Sequence, residues 1–409
     1  MSELLFIAHR FPYPPNKGEK IRAWHFLRHL AASRSVHLAC LSDEPVAREH
    51  IRVVEDICAE VYVEPVEKSP LQWRNLQALA TGLPITLSHH YRPGLAQWIG
   101  DLLGRRPVST VLACSGAMAQ YVPPLKDGSY MRIIDFVDVD SEKWRQYARR
   151  ISAPKNRLYA REARVLEAYE RRTAQAFDAS VFVSEAEASH FCDFVPDCRD
   201  KVVTIQNGVA ANGFRPERDY PRPQDIDSDT LVFIGHMDYW PNIEAVTWFA
   251  REVFPLIRDR HPDTKFAIVG ANPTHRVRRL GAQSGIQVIG TVDEVQPYLA
   301  HAGLVVVPLK ASPGIANKIL EAMAMARPVV ATSFAVSGLS RVKPGRDLLV
   351  ADDRAEFADA VVRVLEDRNL ASDLGQQARH CILAHYTWEE SLKKLDRLLQ
   401  NGPRSLAGR

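Results

Sequence analysis

Short apolar runs alternate with longer helical patterns along almost all of this 409-residue chain. In the first half "LLFIAHR", "SVHLACLS", "EVYVEP", "TVLACSG", "RIIDFVDVD", "ASVFVSE" and "KVVTIQNGV" read as strands. In the second half "LVFIGHM", "KFAIVGA", "IQVIGTV", "GLVVVPL", "RPVVAT" and "DLLVAD" do the same. Many of these runs are apolar throughout rather than at every second position, as parallel strands covered on both faces require. The helical stretches between them predict right-handed βαβ crossovers. The pattern therefore predicts a doubly wound α/β architecture, and predicts it twice. "NGVAANGFRPERDYPRPQDIDSDT", residues 207–230, is rich in Gly, Pro, Asn and Asp, has no periodicity and reads as a linker. Domains are expected at 1–212 and 213–386. The tail from Leu370 to Gln400 reads as mostly helical with a turn near Tyr386 and Thr387, its last helix (about 387–401) packing back on the first domain.

Composition narrows the class. At ~150 residues per domain the length suits two or three domains. Hydrophobic residues at 46% and charged residues at 25% are those of a soluble globular protein. A net charge of +3 is too mild to argue for nucleic acid. The six cysteines form no C-x-x-C pair and no zinc spacing, and several lie in apolar runs, so buried free thiols in a reducing cytosol are expected. No basic stretch precedes the first apolar run, which argues against a signal peptide. No run approaches the ~20 apolar residues of a membrane span. A cytoplasmic protein is expected, with no metal and no cofactor.

Ligands of open parallel sheets bind beyond the carboxyl ends of the strands, so the loops after strands carry the chemistry. "GLVVVPLKASPGIANKILEAMAMARPVVAT" is a strand, a loop, a helix and a strand. Gly314 lets a ligand approach the backbone. A helix beginning near Ala316 or Asn317 offers unpaired N–H groups and partial positive charge to a phosphate, and Lys310 and Lys318 add formal charge. Glu321, about one turn in, is placed to accept hydrogen bonds from a vicinal diol such as a ribose. The competing reading is that Asn317 caps the helix and Glu321 pairs with Lys318.

Three further patterns are noted. "NKGEK" puts Gly18 after the first strand, as a close-approach point or a plain βα turn. "DFVDVDS" carries Asp135, Asp138 and Asp140 with D-x-D spacing; they read as Mg²⁺ ligands, as strand-end and capping residues, or as a site where Asp138 holds an acceptor hydroxyl. Residues 142–177, with nine Arg and Lys from Arg145 to Arg172, and residues 69–107, with Trp73 and Trp98, suit an anionic membrane surface or a solvated face. His89 and His90 in "TLSHHYR" are expected in an extended segment, pointing to opposite faces, and neither is expected to bind metal. No G-x-G-x-x-G follows the first strand, which disfavours a dehydrogenase.

"GIANKILEAMAMARPVVAT" resembles the donor-binding signature of glycosyltransferase family 4. "FIGHMDYWPN", "IVGANP", "IGTVDEVQPYL", "IQNGV" and "HRFPYPPNKGEKIRAWHFLRHLA" fit the same family. With "DFVDVDSEKW", the set is similar to bacterial sugar transferases associated with exosortase and exopolysaccharide loci. The resemblance implies a GT-B fold, two Rossmann-like domains facing across a cleft, and a retaining, metal-independent glycosyltransferase. It implies transfer from a nucleotide-sugar donor to a glycan or polyprenyl-linked acceptor at the inner face of the membrane, with no nucleic-acid partner. The donor site would comprise Gly18, Gly235, His236, Lys310, Gly314, Ile315, Ala316, Asn317, Lys318 and Glu321, with Asp138 and Lys318 catalytic. Two features depart from the family. Pro313 stands where many members have a second glutamate, and the arginine and lysine common after the first strand of the second domain are missing. A nucleotide-sugar epimerase or phosphorylase, or a non-catalytic nucleotide-sugar-binding protein, are the alternatives on the same scaffold.

Overall fold

The computed structural model describes residues 2–66, 78–124, 130–310 and 315–402. The chain forms two compact units, residues 1–205 joined by the chain from Leu392 onward, and Gln206–Ser391.

The first unit holds seven strands, β1 (Glu3–Ala8), β2 (Ser35–Ser42), β3 (Glu60–Pro65), β4 (Val108–Cys114), β5 (Met131–Val137), β6 (Ala179–Phe182) and β7 (Val202–Thr204). They form one parallel sheet in the order β3-β2-β1-β4-β5-β6-β7. The direction of winding reverses between β1 and β4, so the loops leaving these two strands flank the switch point. Leu4 to Ala8 and Val111 to Cys114 are all buried, which explains their unbroken apolar runs. Five helices of this unit matter below: α1 (Gly18–Ala31), α2 (Ile85–His90), α3 (Asp140–Arg150), α4 (Lys155–Ala176) and α5 (Glu185–Phe194).

The second unit repeats the plan with β8 (Thr230–Ile234), β9 (Lys265–Val269), β10 (Ile286–Gly290), β11 (Leu304–Val307), β12 (Val329–Ala331) and β13 (Leu349–Val350). Their order is β10-β9-β8-β11-β12-β13, again parallel, with the switch point between β8 and β11. Helices α6 (Trp240–Trp248) and α7 (Asn317–Ala324) follow β8 and β11. The tail forms α8 (Arg368–His385) and α9 (Trp388–Asn401). Asp396 of α9 lies 2.9 Å from the His29 ring at the end of α1.

Two expectations are corrected. The stretch 207–230 is not a free linker but part of the second unit. Tyr220 and Ile226 are buried in that unit's core, and the Val209 amide donates to the Tyr386 carbonyl at 2.8 Å. Gly208 lies so close to Trp388 that an added Cβ would sit 2.4 Å from its amide nitrogen. The "TLSHHYR" segment is helical rather than extended. The Glu162 carboxylate of α4 accepts from the Ile85 and Thr86 amides at 3.0 and 2.9 Å and so caps α2 from outside. His89 and His90 consequently sit side by side, with ring centroids 5.1 Å apart.

Candidate active site

Around the switch point of the second sheet, the β8 exit carries Gly235 and His236 and the β11 exit leads to Lys310. Gly314, like Pro313, lies outside the described residues. Past it, Ile315 and Ala316 are extended or half-buried, and Ala316 is the residue preceding α7, with φ −77° and ψ 95°. Among the described residues no side chain caps α7 and no acid stands in its first turn, so no side chain among them completes its leading N–H groups. Asn317 is thus the first helical residue and not the cap; its amide oxygen instead accepts from Asn207 at 3.3 Å.

Lys318 and Glu321, one turn apart on α7, are both half-buried. The Lys318 ammonium does not close onto Glu321. It donates to Asn242 Oδ1 at 2.6 Å and lies 4.2 Å from the Phe233 ring centroid. Asn242, itself buried, spends its NH₂ on the His236 carbonyl at 2.9 Å. Burial pulls the lysine down to about 7, against the raising effect of the Glu321 charge. Burial likewise pushes Glu321 up to about 7, against Lys318. Among the described residues nothing donates a hydrogen bond to the Glu321 carboxylate. The result is an ammonium and a carboxylate held short of full solvation beside the start of α7.

Gly235 has a steric reason. A Cβ there would meet Asn242 Nδ2 at 2.7 Å and Lys318 Nζ at 3.0 Å, so the glycine makes room for the lysine and its amide partner. Gly270, at φ +151°, carries no Cβ because the Gly235 carbonyl would stand 1.7 Å from it. Lys310 has other company than the α7 start. It is exposed, its Nζ lies 3.5 Å from the Trp248 ring centroid, and the carboxylates acting on it are Asp352, Asp353 and Glu252.

The first unit gathers a second set of side chains at the carboxyl ends of β1, β4 and β5. Asp135 is taken out of play: Arg22 Nε and Nη2 grip its two oxygens at 2.7 and 2.9 Å, and Arg22 Nη1 donates to the Ile205 carbonyl at 2.8 Å. Two residues on, the chain bends. Val137 has φ +69°, unusual for a β-branched residue, and an Asp138 amide to Phe136 carbonyl bond of 2.9 Å closes a γ-turn around it. This turns Asp138 to a place where its Oδ1 is buried and has no partner. Burial, and next the charge of Glu187, push its carboxyl up to about 8, which favours the protonated, hydrogen-bond-donating form.

Two buried glutamates explain the start of α3. Glu187 Oε2 accepts from the Val139 amide at 2.7 Å and Glu170 Oε1 from the Ser141 amide at 3.0 Å. Neighbouring helices thereby satisfy the first N–H groups of α3. Burial pushes Glu170 up to about 8 and raises Glu187 as well. His9, at the end of β1, lies against the Cys114 backbone and near Asp140, and burial keeps it neutral by lowering its pKa. Its ring centroid is 6.4 Å from that of His90. Ser115, after β4, has φ +77°. Gly18 is the exposed first residue of α1, and its neighbour Lys17 pairs with Glu44 at 3.1 Å.

Sequence reasoning did not single out Asn242, His9, Glu170 or Glu187. Only His9 had a usable signal, its place directly after the central strand. Trp73 of the apolar stretch lies outside the described residues.

Comparisons with known proteins fit this geometry. The sequence model of the family described as "Glycosyl transferases group 1" matches residues 228–367. An "Uncharacterized 44.6 kDa protein in cps region" of Klebsiella pneumoniae is 22% identical over 146 residues, which is 34% of this chain and 37% of that protein. The chain therefore spans little more than a third of the curated relative it matches. Among solved structures, WaaG, a glycosyltransferase involved in lipopolysaccharide biosynthesis, is similar with a TM-score of 0.68 at 15% identity, covering 98% of this chain and 100% of WaaG. HepE of Anabaena, in complex with UDP and glucose, is similar with a TM-score of 0.66 at 13% identity, covering 98% and 99%.

Proposed function

We propose, from the premise that this chain is a GT-B transferase carrying a group 1 glycosyltransferase domain, that it moves a sugar from a nucleotide-sugar to a hydroxyl of a glycan or polyprenyl-linked acceptor in cell-surface polysaccharide synthesis. The observation that carries this reading is the start of α7, with no capping side chain among the described residues, the Lys318 ammonium nearby and the Glu321 carboxylate one turn on. A diphosphate placed there completes the helix amides and restores charge to Lys318, while ribose hydroxyls donate to Glu321. The glucose and UDP bound to HepE make uridine nucleotides the first donors to test, and the cps-region relative supports a polysaccharide product.

In the reaction the acceptor oxygen bonds to the anomeric carbon as the bond from that carbon to the diphosphate breaks. The acceptor proton passes to the departing phosphate oxygen, and the new bond forms on the face the leaving group vacates, so configuration is retained. Lys318 and the α7 amides meet the charge that develops on the diphosphate; this reading routes no step through a metal ion. Asp138, with an unused buried oxygen, orients the acceptor hydroxyl. The site of action is the cytoplasmic face of the membrane.

Thermal shift of the purified protein against UDP, UDP-glucose, ADP-glucose and GDP-mannose tests the donor half. A ligand at 100 times its Kd stabilises by about 2.7 kcal/mol, and Lys318→Met should abolish the shift. No shift with any nucleotide, or a shift unaltered in the variant, overturns the assignment. Conversion of the donor sugar without an acceptor marks an epimerase instead, and binding without turnover on any acceptor marks a binding protein.

A further inference from the structure

We propose that the tip of the α3–α4 hairpin, together with the adjoining residues 79–83, is a docking surface for an anionic lipid bilayer. From Lys143 to Arg161 the chain holds seven Lys and Arg and no Asp or Glu. At the tip Arg149, Lys155 and Arg157 are exposed, and so are two large aliphatic residues, Ile151 at 38% and Leu158 at 38%. Leu79 at 40% and Leu83 at 49% are exposed on the neighbouring segment. That segment is tied to α4 within a turn of Leu158: Arg161 Nη1 donates to the Leu83 carbonyl at 3.0 Å and Nη2 to the Ala78 carbonyl at 3.1 Å. These four residues are a majority of the large hydrophobics exposed among the described residues, and they fall on two adjoining pieces of one unit.

The chemistry selects the occupant. Exposed aliphatic side chains flanked by long cationic ones suit an interface where the apolar atoms enter the acyl boundary and the charged heads reach lipid phosphates. A nucleic acid would cover the charge but leave the leucines and isoleucine wet. The aromatic rings that could stack on bases are turned on one another, with Trp144 5.1 Å from Tyr159 and 5.8 Å from Tyr147, where they brace α3 against α4. The surface draws its purpose from the lipid-linked acceptor proposed above, but no residue of it belongs to the donor site.

The test is co-sedimentation of the full chain with phosphatidylglycerol–phosphatidylcholine vesicles and with pure phosphatidylcholine vesicles, at low and high salt. Binding should require the anionic lipid and weaken with salt. The double variant Arg149→Glu/Arg157→Glu should lower partitioning at least ten-fold, and Ile151→Ser/Leu158→Ser should lower it several-fold at unchanged net charge. Both variants should keep the circular dichroism spectrum and any nucleotide-induced thermal shift of the parent. Equal binding to neutral vesicles, no vesicle binding, or variants that bind like the parent would overturn the surface. A preference for duplex DNA over vesicles would assign the patch to nucleic acid instead. Loss of the nucleotide shift in the parent, with vesicle binding intact, would sink the transfer reading and leave this one standing.

Discussion

Replacing Glu321 by Gln should make the protein more stable and a poorer donor binder at once. The glutamate is half-buried, and its pKa is raised by burial from 4.5 to about 7. That rise corresponds to about 3 kcal/mol against the carboxylate. Solvent at the open side returns a share, and in the variant Lys318 loses its countercharge, so a net gain of about 1 kcal/mol is expected. For a domain of this size that is roughly 2–4 °C in Tm. The sign follows from linkage. A folded-state pKa above the unfolded value means the native state keeps a proton that the unfolded chain releases, so stability falls as pH rises from about 4.5 to about 7. The amide has no such dependence. The Tm difference should therefore be near zero at pH 4.5, grow through that window and level off above about pH 7. Donor affinity should move the other way. Exchanging two charge-assisted hydrogen bonds for neutral ones costs about 1 kcal/mol each, or roughly 30-fold in Kd. Differential scanning fluorimetry across pH and isothermal titration with the donor nucleotide read the two effects. A variant that is less stable at pH 8 would make Glu321 a structural partner of Lys318, and an unchanged Kd would remove it from the ribose site.

Two other substitutions test the first unit. Arg22→Met leaves Asp135 fully buried without its bidentate partner, and breaking such a pair costs about 3–5 kcal/mol; chemical denaturation should show the loss, and a cost under 1 kcal/mol would mean Asp135 finds another partner. Glu170 carries a pKa raised to about 8, so by the same linkage the parent loses stability between about pH 4.5 and 8. Glu170→Gln keeps an acceptor for the Ser141 amide and should flatten that decline, whereas an identical pH profile in the variant would show that Glu170 does not titrate in this range.

The strands were legible because their cause is local. Each of the thirteen runs is a parallel strand, and in the inner strands of each sheet burial on both faces writes itself into consecutive residues, whereas the edge strands β3 and β10 are mostly half-buried. The errors share the opposite cause. Nothing near "TLSHHYR" reveals that Glu162, more than seventy residues away, will cap its first amides and fix a helix there. The 207–230 stretch has a loop's composition, but Tyr220 and Ile226 are anchors whose sockets lie in distant strands and helices. Loop chemistry predicts irregular backbone and says nothing about whether that backbone packs. The D-x-D spacing was equally mute, because the partner that consumes Asp135 stands 113 residues earlier in the chain.

Candidate function follows from sorting the charges into those already satisfied and those left open. Asp135 has Arg22, Glu187 has the Val139 amide, and Lys17 has Glu44. Each contact completes the fold and leaves little for a ligand. Against that background Asp138 Oδ1 and Glu170 Oε2 are buried without a partner among the described residues, and Asp138 is held by a backbone turn around Val137 that a β-branched residue does not adopt without cost. Lys318 and Glu321 stand one turn apart without closing on each other, and the helix that carries them begins with no capping side chain among the described residues. A fold selected for stability alone would favour a serine, asparagine or aspartate before Asn317 and a small apolar residue at Lys318. The groups left open lie on the helix that follows β11, beside the second switch point, and directly after β5 in the first sheet. These are places where parallel sheets present backbone and side chains to ligands. In each unit taken by itself, that coincidence of open charge and sheet topology supports the role proposed above more strongly than the motif does alone.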